Sequence, residues 1–268
     1  MNKIVDSFLT LGKAALKSRP AGRSLRREKG GVLIIMGNGP SLRDTISQSL
    51  DTLRKYDTTA VNFAANAPEF KLINPTHYVL ADPHFFGAPG RDPNVDRLWE
   101  NLRDAGAEMT LHLPAGRNAT LPPEIRLQHF NMTPGDGADA LSRWLYRKGL
   151  AMPRPRNVLI PAVMEGIRDG YDEIYIVGAD HTWPHTLYVD DLNRVVTVQP
   201  HFYEDNKKEL DRVAEEYVGL RLHDVLGSMT VAFRSYHAVK KYAEKEGVKI
   251  YNSTPGSLID AFIRKPLP

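Results

Sequence analysis

Cysteine is absent from the 268 residues, which removes disulfides, thiolate metal ligands and a cysteine nucleophile together. Also missing is any run of the ~18–20 uncharged apolar residues that a bilayer-crossing helix requires, and the N-terminus has no compact apolar segment followed by a small-residue cleavage site. The expectation is a protein made and kept in the cytosol, in which the sequons Asn118-Ala-Thr120 and Asn252-Ser-Thr254 are accidental. No Gly-x-Ser-x-Gly elbow is present, so the sequence offers no hydrolase nucleophile of that type. With 42% hydrophobic and 25% charged residues, a disordered or coiled-coil chain is excluded. The length allows one large domain or two modest ones.

What is present begins with an uneven charge distribution. Residues 1–30 hold eight bases and two acids, a surplus of six that leaves residues 31–268 three charges negative although the whole chain is +3. In this segment Ile4, Phe8, Leu11 and Ala15 recur at helical spacing, widened by Val5, Leu9 and Leu16, which predicts a short amphipathic helix followed by a basic linker. An anionic membrane surface would suit it; so would packing on the body, on a partner, or on another copy in a homo-oligomer. Nucleic acid fits less well, because the rest of the chain has no basic stripe interleaved with aromatics.

From residue 31 the pattern changes. Gly30-Gly31 leads into the apolar run Val32-Leu-Ile-Ile-Met36, suited to a central parallel strand covered on both faces. Further strands are predicted at 59–63, 78–81, 109–113, 125–129, 173–177 and 248–251. Helices are predicted at 42–54, 94–105, 137–150, 157–169, 207–220 and 229–246, with a last one from Ser257. This alternation predicts an α/β fold, a single Rossmann-like domain over 31–268 around a largely parallel sheet. Asn206 with Glu209 forms a capping box, Ser228 is placed to cap the next helix, and Gly247 to end it. The interval 182–205 follows neither period and is rich in aromatic and polar residues, so a lid is expected over about 182–228.

The sharpest chemical signal is Gly37-Asn38-Gly39-Pro40-Ser41, between the first strand and a helix. Glycines allow a tight turn and close approach of a ligand, and the amides beyond Pro40 form an anion site. It is neither a Walker A loop nor the dinucleotide fingerprint, whose third glycine would fall at Leu42. The same pentapeptide also serves as a plain strand–helix turn. Three other strands end in polar residues: Asn62, Asp82-Pro83-His84 and Gly178-Ala179-Asp180-His181. Ligands collect beyond the carboxyl ends of parallel strands, and such groups can hold ribose hydroxyls, base edges and phosphate oxygens.

Gly37-Asn-Gly-Pro-Ser-Leu42, Asn62, Asp82-Pro-His-Phe-Phe86, Gly170-Tyr-Asp-Glu-Ile-Tyr-Ile-Val-Gly-Ala-Asp180 and Pro255-Gly-Ser-Leu-Ile-Asp-Ala-Phe262 resemble, in this order, the bacterial sialyltransferases of glycosyltransferase family 42. The resemblance runs from residue 32 to the C-terminus. It implies one nucleotide-binding domain with a lid, a CMP-sialic acid donor as co-substrate with no separate cofactor, no metal, inversion at the anomeric carbon, and acceptors such as lipopolysaccharide or other surface glycans. The Gly-Asn-Gly-Pro segment is also similar to a domain of archaeal hydroxymethylpterin diphosphokinases. That likeness implies the alternative of an Mg-ATP enzyme, and a non-catalytic nucleotide-binding module is a third reading.

Carried over by position, the resemblance assigns donor binding to Gly37, Asn38, Gly39, Ser41, Asn62, Gly178 and Asp180, with Ser257 contributing; Asp82 joins them as a strand-end carboxylate. Of the two lid tyrosines that support the leaving phosphate, the second falls on Tyr188 and the first on Thr182, beside Trp183. At Asn157-Val-Leu-Ile-Pro161 the small hydroxyl and glycine pattern of the family is replaced. The family's catalytic histidine has no clear counterpart; His201, His223 and His185 are the candidates. Displacement of a phosphate needs a base near the acceptor hydroxyl, a task suited to histidine. His201 is placed first because the irregular loop around it holds Tyr188 and Tyr203. Asp190-Asp191 lacks the spacing of an Asp-x-Asp metal pair, and Pro184 interrupts His181 and His185, so no metal site is expected.

Overall fold

The computed structural model describes residues 3–20, 22, 24, 30–105, 108–197 and 219–268. Eight strands form one parallel sheet: β1 (Val32–Met36), β2 (Asp57–Val61), β3 (His77–Val79), β4 (Met109–Pro114), β5 (Ile125–Phe130), β6 (Glu173–Val177), β9 (Lys249–Asn252) and β10 (Ile263–Arg264). A separate antiparallel hairpin pairs β7 (Tyr188–Val189) with β8 (Val195–Val196). The sheet order is β10-β9-β6-β1-β2-β3-β4-β5. The chain builds outward from β1 to β5 and then returns to place β6 on the other side of β1, so the order reverses between these two strands. The expected Rossmann-like α/β architecture is borne out.

Alternate residues of each strand feed opposite layers, as the period of two requires. Ile34, Met36, Ala60, Tyr78, Leu111 and Val177 face α2 (Ser41–Lys55), α3 (Glu69–Ile73) and α4 (Pro93–Arg103). Leu33, Ile35, Val61, Val79, Phe130 and Ile176 face α5 (Asp139–Arg147), α6 (Leu159–Arg168) and α7 (Leu222–Glu246). The N-terminal helix α1 (Lys3–Lys17) joins this second layer through Ala14.

Three expectations are corrected. The helix predicted to start at Ser228 begins at Leu222, where the Asp224 carboxylate accepts from the Arg221 amide at 3.0 Å, so Ser228 lies inside α7 and on its exposed side. Gly247 does end it, at φ +79°. The lid boundary at 228 therefore runs into α7. No helix forms from Ser257: the segment stays irregular because the Ser257 hydroxyl is held by the body, and it ends in β10. The predicted helix 207–220 and the Asn206–Glu209 box lie outside the described residues, apart from Gly219 and Leu220, which precede α7. No helix among the described residues is long and apolar enough to cross a membrane.

The strands β1 and β6 end in two turns that cross. Gly37 N–H donates to the Val177 carbonyl and Gly39 N–H to the Gly178 carbonyl, both at 2.8 Å. A Cβ on Gly37 would lie 2.5 Å from the Gly178 oxygen, and one on Gly178, at φ +63°, would lie 2.3 Å from the Gly37 oxygen. Backbone faces backbone, so neither clash can be relieved by a rotamer change. Gly37→Ala is expected to destabilise the protein by roughly 1–3 kcal/mol or more, measured by urea unfolding, with a smaller loss for Gly256→Ala, whose Cβ would meet nothing within 4 Å and whose cost is its φ of +67°.

Candidate functional site

All parallel strands deliver their carboxyl ends to one side, and the strand order reverses between β1 and β6, the place where such sheets usually hold a ligand in a crevice beyond the strand ends. Gly37, Asn38, Gly39 and Ser41 come from the first turn, Asn62 from the end of β2, Asp82 from beyond β3, and Gly178 and Asp180 from the end of β6. The structure brings these sequence-selected residues to the same rim.

Their local roles differ from one another. The Asp180 carboxylate accepts from Ser41 Oγ at 2.9 Å and from the Ser41 amide at 3.3 Å. The anion that completes the start of α2 is thus a side chain of the protein, and it satisfies donors that sequence reasoning reserved for a phosphate. Asn38 is buried, and its Nδ2 donates to the Val61 carbonyl at 3.0 Å, tying the glycine turn to the end of β2. Asn62 opens a 3-10 turn (Asn62–Asn66) at φ +50°, a left-handed conformation that Asn tolerates better than most residues. Its carbonyl accepts from the Tyr78 hydroxyl. Its side-chain Oδ1 is buried without a hydrogen-bond partner among the described residues. Asp82 is exposed and accepts from the His84 amide at 2.8 Å, capping a second 3-10 turn (Pro83–Phe86). Ser257 is buried; its hydroxyl donates to the Ala179 carbonyl at 2.6 Å and accepts from Asn252 Nδ2 and the Ile259 amide. Its bonds hold the chain together rather than face the crevice.

The catalytic candidates are dispersed. Tyr188 is exposed on the β7–β8 hairpin, which packs through Leu187 and Val195 against Val225 and Met229 of α7. His223 stands on the first turn of α7 with its side chain 82% exposed, 3.4 Å from Asp224. His185 is exposed on a 3-10 turn (Trp183–Thr186). His201 lies outside the described residues.

The sequence marks His181 as part of a polar strand end and as half of a rejected metal pair, with no catalytic role; in the structure it is a buried histidine at this rim. It follows Asp180 at φ +53°, stacks on Trp183 with ring centroids 4.2 Å apart, and places Nε2 2.8 Å from the Tyr236 hydroxyl. That hydroxyl donates to Asn157 Oδ1 at 3.0 Å, an oxygen whose identity is fixed by the Leu159 amide it also accepts from. The Tyr236 proton is committed to Asn157, so His181 must donate its Nε2–H, which leaves the lone pair on Nδ1. Burial pushes the imidazole from its usual 6.5 down to about 3, keeping it neutral. Asn157 thus anchors the Tyr236–His181 pair.

A cleft of about 600 Å³ adjoins the same side of the sheet beyond β3 and β4, lined by Phe85, Phe86, Trp99, Arg103, Arg117 and Asn118 among others. On the α6 face, away from the crevice, His77, His112 and Asp169 bring metal-type donor atoms within 4.8 Å of one another. There the two imidazoles meet at 3.0 Å, His77 bonds Tyr171 at 2.9 Å, and His112 bonds Glu165 at 3.2 Å. This buried network joins β3 and β4 to α6, and no sequence signal singled it out because its members are 35 to 94 positions apart.

The unfolded chain takes up a proton near pH 6.5 that folded His181 refuses, so this group withdraws stability as pH falls from about 6.5 towards 3. Asn also tolerates the left-handed backbone. The stability advantage of the wild type over His181→Asn is therefore expected to shrink by up to about 1.4 kcal/mol per pH unit below pH ~6, read from urea unfolding at a series of pH values.

No protein-family model matches the sequence, and no curated protein matches it. Among solved structures, the fold is similar to that of the MAf glycosyltransferase from Magnetospirillum magneticum AMB-1, with a TM-score of 0.52, 12% identity, 97% of this chain aligned and 38% of that one. The chain spans little more than a third of that protein's length. What the two share at this identity is the fold, a Rossmann-like α/β arrangement of the kind that glycosyltransferase uses.

Proposed function

We propose that the protein is a glycosyltransferase that moves sialic acid or a related acidic sugar from a CMP-sugar to a hydroxyl of a surface glycan, by a single inverting displacement without a metal. The observation that carries this reading is Asn62: a side-chain acceptor, buried and without a partner among the described residues, held in a left-handed conformation at the switch-point crevice. Buried acceptors are seldom left unpaired, and an amino group of a base or a ribose hydroxyl would complete it. The fold similarity to a glycosyltransferase and the collinear motifs from Gly37 to Phe262 support the same conclusion.

In this reading Asn38, Asn62 and Asp82 line the nucleoside side of the crevice. Because Asp180 already occupies the start of α2, the donor phosphate takes its hydrogen bonds from the lid side, where Tyr188 offers an exposed hydroxyl to the departing group. His201 is the proposed base, with His223 as its substitute. The cleft lined by Trp99, Phe86 and Arg117 has the mixture of aromatic faces and polar groups that suits a saccharide acceptor.

The test is incubation with a panel of CMP-, UDP- and GDP-sugars, reading released nucleotide. Release of CMP from CMP-sialic acid without added metal is expected; release of UDP or GDP only, or thermal stabilisation by Mg-ATP and by no CMP compound, overturns the proposal. Asn62→Ala should weaken CMP binding roughly fivefold, the worth of about 1 kcal/mol for one neutral hydrogen bond. Tyr188→Phe should lower turnover more than donor affinity, and His201→Ala should abolish transfer while CMP still binds.

A further inference from the structure

The helix α1 is fastened to the protein by its polar side. Thr10, buried, donates from Oγ1 to the Asp136 carbonyl at 2.9 Å and accepts from the Asp136 amide at 3.1 Å. Ser7 Oγ accepts from the Ala138 amide at 2.9 Å, and a Cβ on Gly137 would lie 2.5 Å from that same oxygen. Just beyond the helix, Ser18 Oγ lies 2.7 Å from Thr133 Oγ1, and Arg19 and Asn131 exchange hydrogen bonds. These contacts fix the rotation of α1. They turn its apolar stripe away from the core: Val5 is 52% exposed, Phe8 70%, Leu9 54% and Leu16 87%. On a helical wheel the arc from Leu11 to Leu9 spans about 160°. Beside it, past Leu9, come Lys13, Asp6 and Lys17 in that angular order, Asp6 being the one acid of the helix.

An apolar arc of this width held outward by specific hydrogen bonds is a binding surface. We infer that α1 docks the protein on an anionic lipid bilayer, lying in the headgroup plane with Phe8, Leu9, Val5 and Leu16 inserted and Lys13 and Lys17 at the level of the lipid phosphates. Fifteen residues rise about 22 Å, too short to span but suited to lying flat. The lysine edge favours this occupant over a second copy, since packing two such helices face to face brings like charges together with one acid each to offset them. The loop that receives α1 follows β5, the edge strand of the sheet. The inference does not depend on the identity of the donor sugar.

The experiment is sedimentation of the full chain with vesicles of phosphatidylcholine alone or mixed with phosphatidylglycerol. Binding roughly tenfold or more stronger to the anionic vesicles, weakened by salt, is expected. Phe8→Ser combined with Leu9→Ser should abolish it without altering the circular dichroism spectrum, because both side chains are exposed, and Lys13→Glu with Lys17→Glu should remove the preference for anionic lipid. Failure to bind either vesicle overturns the inference, as does binding that survives Phe8→Ser/Leu9→Ser. A dimer in analytical ultracentrifugation that this double variant dissociates, with no vesicle binding by the wild type, assigns the surface to a second copy instead.

Discussion

Two amide–carbonyl contacts between bare stretches of main chain organise the functional end of this protein. Where Gly37-Asn38-Gly39 passes Val177-Gly178, the backbones approach so closely that a methyl group on either side would collide with a carbonyl. That approach sets β1 beside β6, brings Asp180 onto the first amide of α2, and points Asn38 at the end of β2. Glycine here serves the protein's own closure.

The polar groups divide by face and by end. At the carboxyl ends of the strands sit groups with capacity to spare, such as Asn62 Oδ1 and the His181 lone pair. On the α6 face, the His77–His112 network is spent on holding strands to helix, where each bond offsets the cost of taking its partner out of water. His181 links the two regimes. Its ring is buried and neutral and its tautomer is dictated by Tyr236 and Asn157, yet it immediately follows the carboxylate that caps α2.

Much of the sheet was legible because strands covered on both faces must be apolar throughout, and β1 and β6 announce themselves as Val32–Met36 and Glu173–Val177. The glycine turn and the polar strand ends were legible for the same reason: turns at fixed offsets from such strands have few alternatives. The segment after Ser257 was misread because Leu258, Ile259, Ala261 and Phe262 supply helical apolar spacing. What decides it is a bond from Ser257 to Ala179, 78 residues away. Periodicity likewise located the stripe on α1 but not its direction, which rests on Thr10 and Ser7 finding carbonyls and amides near residue 136. The start of α7 was missed because Leu222, Val225 and Leu226 carry the pattern two turns upstream of the serine that looked like a cap.

The outermost strand beyond β9, β10, is only two residues long, and the residues that follow it fold back on the sheet. Lys265 reaches back to the Tyr175 hydroxyl at 2.6 Å and lies 4.2 Å above the Tyr251 ring, and Pro266 and Pro268 follow it without amide protons to donate. A neighbouring molecule finds neither a free ladder nor an uncharged ribbon there. Lysine and proline at this margin disfavour edge-to-edge strand pairing there, in contrast to the opposite rim at β5.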